Sequence, residues 1–121
     1  MKTENIIVDK SKAFALRTIK LYQYLLNSKI DYALLSQLIK SGTSIGANVK
    51  EAVRGQSKAD FYAKMNIALK EASETEYWLE LLHETNYIND KEFNSIYSDC
   101  QELIKLLMAI TKTQSNPKEN L

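Results

Sequence analysis

Few residues in this chain have the means to do chemistry. His83 is the single histidine and Cys100 the single cysteine, and neither has a neighbour with which it makes a nucleophile and base. Five glutamates, Glu71, Glu74, Glu76, Glu80 and Glu84, crowd one stretch, and paired carboxylates are one way to hold a metal. Di-iron bundles place Glu-x-x-His on two helices, whereas here only Glu80 sits three residues before His83 and no second such motif exists. The glutamates therefore read as an acidic face, solvated or turned to another subunit, and no metal or cofactor is expected. A third candidate is SGTSIGANVKEAVRG, residues 41–55, with three glycines and three hydroxyl side chains. A phosphate-gripping loop needs four residues between its glycines, then Gly-Lys-Ser/Thr, on a turn after a strand. Here three residues separate Gly42 from Gly46, no lysine follows directly, and no strand precedes. No enzyme is expected.

The elements that hold these residues read as helices throughout. Apolar residues recur at intervals of three and four in four segments, placed at about 10–28, 32–55, 58–85 and 90–112. In the first, Phe14, Leu21 and Leu25 form one line and Leu16, Ile19 and Leu26 another, together the wide face of a core helix. The second carries Leu35, Leu38, Gly42, Ile45, Val49 and Ala52, and the third Phe61, Met65, Ala68, Ala72, Thr75, Leu79 and Leu82. The fourth carries Phe93, Ile96, Cys100, Leu103, Leu107 and Ile110, which makes Cys100 a small buried residue. Ser57 with Asp60, and Asn89 with Glu92, have the spacing of capping boxes. Repeats near 3.5 residues and short links predict an all-α, up-down-up-down antiparallel four-helix bundle with left-handed packing, one domain over residues 1–121. ENIIV near the start is too short for a helix and reads as an arm, and residues 113–121 read as a frayed tail.

Within this scheme the glycine-rich run is a helix thinned for close approach. Gly42 lies on the second seam and Gly46 one turn later, and each interior glycine costs about 1 kcal/mol relative to alanine. A neighbouring backbone packed close offsets that cost. A hairpin turning near Gln56 sets Gly42 and Gly46 opposite the third helix, where Ala68 and Ala72 face the notch.

Bulk properties narrow the class further. A composition 45% apolar and 26% charged is that of a globular chain, and the single proline and three glycines favour helices. One cysteine excludes an internal disulfide and points to the cytoplasm. No apolar run approaches the roughly 20 residues that span a bilayer, and MKTENIIVDK lacks the apolar stretch of a signal peptide. Net charge is +1, but residues 1–58 hold ten Lys or Arg against four Asp or Glu, and residues 59–121 hold six against eleven. Such a split makes a basic binding surface, or two halves that attract within or between subunits.

SIGANVKEA, followed by SKADFYAKMNIALKEASETEYWLELL, resembles bacterial four-helix-bundle proteins encoded within intervening sequences of large-subunit ribosomal RNA, and KSKAFALRTIKLYQYLL resembles their first helix. The likeness spans about residues 5–110, with Ser44, Ile45, Ala47, Asn48, Glu51, Ile67, Ala68 and Glu74 as its most specific part. Ala52 stands where relatives often have glycine, and Gly46 where many have proline. The resemblance implies the bundle fold. A similar branch, the accessory proteins of diversity-generating retroelements, implies ring-like homopentamers that bind nucleic acid and a reverse transcriptase. That branch is strongly basic, whereas this chain is nearly neutral.

The polar positions Ser44, Asn48, Glu51 and Glu74 are either a ligand site or a structural set, with Asn48 and Glu51 as a hydrogen-bonded pair that fixes register; the second is favoured. Ile67, Trp78 and Leu81 fall on a second line of the third helix, and Tyr22 and Tyr24 add aromatic area beyond what four core stripes need. They are interface candidates, the alternative being that they cap the bundle's ends or lie singly exposed. Lys12, Arg17, Lys20, Lys40, Lys50, Arg54 and Lys58 are candidates for nucleic-acid contact, or are solvated lysines and arginines. The leading expectation is a non-catalytic homo-oligomeric scaffold or adaptor, with a nucleic-acid-binding accessory factor as the alternative.

Overall fold

The computed structural model describes the backbone of residues 2–115 and the side chains of residues 5–114. Four helices follow one another: α1 (Lys2–Leu25), α2 (Tyr32–Val53), α3 (Lys58–Glu84) and α4 (Asp90–Lys112), then a 3-10 turn at Thr113–Ser115. Side chains at the helix starts satisfy amides that the helix leaves open. Asp31 accepts from the Ala33 amide at 2.8 Å and Ser57 from that of Asp60 at 3.1 Å. At α4 the box is complete: Asn89 accepts from the Glu92 amide and Glu92 from the Asn89 amide, both at 2.8 Å. The link before α4 turns at Asn86, a non-glycine residue with φ of 66°, a region that asparagine tolerates better than most.

α1 begins at Lys2, so the expected arm is part of the helix. Its true seam is Ile7, Ser11, Phe14, Thr18, Leu21 and Leu25, spaced 4, 3, 4, 3, 4. Two of these positions hold hydroxyls, which hides the repeat from a search for apolar residues. Both hydroxyls are buried, and each donates to a carbonyl of its own helix: Thr18 to Phe14 at 2.9 Å, Ser11 to Val8 at 3.2 Å. The line Leu16, Ile19 and Leu26 is correspondingly not core, being 53%, 38% and 48% exposed.

Cross-helix contacts give the topology. Lys64 pairs with Glu51 at 3.5 Å and the Thr75 and Ser41 hydroxyls are hydrogen-bonded at 2.9 Å, so α2 and α3 run antiparallel. Cys100 donates to the Ala72 carbonyl, Tyr97 to Glu80, and His83 meets Asp90, which runs α3 against α4. Lys10–Glu102 and Arg17–Asp99 do the same for α1 and α4, the sparsest of the four interfaces. The seam residues of all four helices meet in one core. The 3-10 turn is held on α3, with the Tyr62 and Thr113 hydroxyls hydrogen-bonded and Asn66 donating to Gln114 at 3.0 Å. Of the stretch expected to fray, residues 116–121 lie outside the described residues.

The glycine run is regular helix, but its notch faces α1 and not α3. A Cβ built on Gly42 would stand 2.5 Å from Thr18 Cγ2 and 2.7 Å from Thr18 Oγ1, and one on Gly46 would stand 3.3 Å from the Ser11 carbonyl oxygen. The glycines receive the two hydroxyl positions of the α1 seam. Ala68 and Ala72 are buried, yet α3 meets α2 through Ser41 and Thr75. The hairpin also turns later than Gln56, because Ser41 is level with Thr75 and Glu51 with Lys64. That shift moves the alanines off the glycines.

Candidate interaction surface

The polar motif on α2 is satisfied mostly by its own helix. Ser44 donates to the Lys40 carbonyl at 2.6 Å, Asn48 to the Ser44 carbonyl at 2.8 Å, and Thr43 to the Ile39 carbonyl at 2.7 Å. Short polar side chains in a helix take this route when no other partner is in reach. Asn48 and Glu51 are therefore not the pair expected from sequence, since Glu51 turns to Lys64. The buried polar contact that ties two helices in register is Ser41–Thr75, where Thr75 also hydrogen-bonds the Glu71 carbonyl at 2.8 Å. Thr75 stood on the expected seam, but Ser41 showed no signal as an isolated serine.

His83 has a carboxylate beside it after all: its Nε2 lies 2.7 Å from Asp90 Oδ1, and its ring stacks on Phe93, which stacks on Tyr97. Asp90 is the first residue of α4 and Phe93 lies one turn on, so this cluster clasps the α3–α4 link. Tyr97 donates to Glu80 at 2.6 Å, a bond that raises its phenol pKa well above the ordinary value, helped by burial and by Glu76. Cys100 is buried, and burial, with Glu76, Asp99 and Glu80 nearby, pushes its thiol up to about 12. A thiol so placed stays protonated at neutral pH and is a poor nucleophile. Among the described residues no group of three or more His, Cys, Asp or Glu side chains converges as a metal site would.

Two outward faces remain. On α1 and just past its end, Val8, Ala15, Ile19, Tyr22 and Leu26 follow at intervals of 7, 4, 3 and 4, a second stripe beside the core seam. Tyr22 is half-buried and meets Tyr32 at the start of α2, whose hydrogen bond, with burial, raises the Tyr22 phenol. Tyr32 itself is 67% exposed, whereas Tyr24, 59% exposed, lies on the other side of α1, beside Ile88, Glu92 and Ile96. Along the same α1–α2 side runs a groove of about 510 Å³ lined by Val8, Ala15 and Gly46 together with Lys12, Lys50, Arg54 and one carboxylate, Asp9. No described acidic side chain forms an ion pair with Lys12, Lys50 or Arg54. Arg17 differs from the other basic candidates, because Asp99 holds it at 2.6 Å and Ser95 receives its other nitrogen at 3.0 Å. Lys20, Lys40 and Lys58 are exposed.

The second face is on α3, where Ile67, Glu71, Glu74, Trp78 and Leu81 are spaced 4, 3, 4 and 3. Ile67 is 41% exposed, while Trp78 and Leu81 are half-buried and Trp78 packs against the core. Its indole Nε1 is enclosed without an acceptor, the one buried side-chain polar atom so placed among the described residues. Burial and the neighbouring Glu74 raise the Glu71 carboxyl, and Lys70 and Lys40 only partly oppose them.

The geometry defines a class first: an antiparallel four-helix bundle whose helices are fastened by hydroxyl–glycine and hydroxyl–hydroxyl contacts. Residues 3–109 match the family described as 23S rRNA-intervening sequence protein, and the chain belongs to that family. It is also similar to a crystal structure of a protein with unknown function from the S23 ribosomal protein family of Bacteroides thetaiotaomicron VPI-5482. The two are 51% identical with a TM-score of 0.87, over 91% of this chain and 98% of that one. Among curated proteins none matches. No described helix is long and apolar enough to cross a membrane.

Proposed function

We infer that this protein is a non-catalytic, self-associating bundle that serves as a scaffold or adaptor. The observation that carries the reading is the apolar surface left outside the core: Leu16, Ile19, Leu26 and Tyr32 are all more than a third exposed, and they lie on the outward side of α1, at its end and at the neighbouring start of α2. Single exposed apolar residues are ordinary, but a set on one side of a molecule marks a place where another surface docks. The alternative, a nucleic-acid-binding accessory factor, draws support from Lys12, Lys50 and Arg54 around the α1–α2 groove, which make no ion pair among the described residues.

The test is the mass in solution, by light scattering at tens of micromolar and two salt concentrations. A mass several times the 13.9 kDa of one chain is expected. A persistent single-chain mass would overturn the reading.

A further inference from the structure

We propose that the basic α1–α2 groove of one copy receives the Ile67–Glu71–Glu74–Trp78–Leu81 stripe of a second copy, so that self-association joins two unlike faces. The inference rests on the self-association inferred above and names the surfaces that perform it.

Three observations converge. The groove has an apolar bed, Val8, Ala15 and Gly46, flanked by Lys12, Lys50 and Arg54, none of them held by an ion pair among the described residues. The stripe has the matching order in opposite charge, with apolar Ile67, Trp78 and Leu81 around Glu71 and Glu74. Lys10 and Arg17, by contrast, are already joined within the molecule to Glu102 and Asp99, which leaves the cations of the groove open to a partner. Two carboxylates side by side, with the Glu71 carboxyl raised by burial and by Glu74, are eased by cations arriving from outside. A contact of groove with groove sets three cations against three, and stripe with stripe sets carboxylates against carboxylates. Like charges face to face cost several kcal/mol, which leaves groove with stripe.

Charge reversal in trans tests the pairing. Glu71→Lys with Glu74→Lys reverses the stripe, and Lys12→Glu with Lys50→Glu and Arg54→Glu reverses the groove. Each variant alone is expected to fall to single-chain mass, and an equimolar mixture is expected to form oligomers again, since a groove of either variant meets a stripe of opposite sign on the other. Ile67→Lys, at a position 41% exposed, removes apolar contact and sets a cation against cations, and is expected to lower the assembled mass by itself. Circular dichroism confirms that each variant is helical. If the wild type is assembled and all three variants keep its mass, the pairing of faces is wrong while self-association stands. A monomeric wild type would remove both. If the groove variant keeps its mass but loses binding to a single-stranded RNA oligomer or a duplex DNA probe, the groove serves nucleic acid and the proposal falls.

Discussion

At Gly42 a single hydrogen atom decides how close two helices come. Alanine there gains about 1 kcal/mol of helix propensity, but its methyl would sit 2.5 Å from Thr18 Cγ2, in a side chain that is fully buried and hydrogen-bonded to Phe14. Overpacking of this kind costs about 1–3 kcal/mol, so Gly42→Ala is expected to destabilise in urea unfolding and Thr18→Ala to recover most of the loss in the double variant. Additive single effects would show that the two do not touch. Gly46 is looser, with 3.3 Å to the Ser11 carbonyl oxygen. Cys100 gives a second residue-level prediction. Its thiol is raised from 9.0 to about 12 in the fold, so between those values the folded state binds more protons than the unfolded one. Stability carried by the protonated thiol is therefore full below pH 9 and declines as pH rises toward 12. At neutral pH, labelling by a thiol reagent is expected to follow global unfolding, and a fast native-state reaction would contradict the buried placement.

At the scale of the element, α1 is the helix whose limits the sequence concealed. The seams of α2 and α4 were legible because nearly every inward position carries an apolar side chain or a small one. In α1 the inward positions Ser11 and Thr18 are polar, so apolar periodicity found Phe14, Leu21 and Leu25 but added a second line, Leu16, Ile19 and Leu26, that in fact faces outward. Continuing the spacing back from Phe14 through Ser11 reaches Ile7, which is fully buried. An Ile→Ala change at a packed site costs about 2–5 kcal/mol. Ile7→Ala is accordingly expected to lower the unfolding midpoint markedly, whereas a loosely attached arm would give almost no change.

Over the whole molecule, the two charged halves are joined by exposed pairs at the α1–α4 interface. Such pairs contribute roughly 0–1 kcal/mol each and are screened by salt. The bundle's unfolding midpoint is thus expected to change little as salt rises, while an assembly through the groove and stripe weakens. That contrast places the electrostatic role in association, with the fold resting on its apolar core. The individual helices, their caps and most of their buried residues were legible in sequence; the pairing of Arg17 with Asp99, which removes Arg17 from the free basic surface, was not.

What the sequence determined by itself is the part of the structure written at short range. A repeat of three and four residues sets both the helix and its inward side, and Asp31, Ser57 and Asn89 set where helices begin, because each acts within two or three residues of its own position. Only the tertiary structure decided which neighbour meets the Gly42–Gly46 notch, and which polar groups meet across helices. Those outcomes depend on the rotation and sliding of helices remote in sequence. A slip of three or four residues between α2 and α3, invisible in either helix alone, exchanges one set of partners for another.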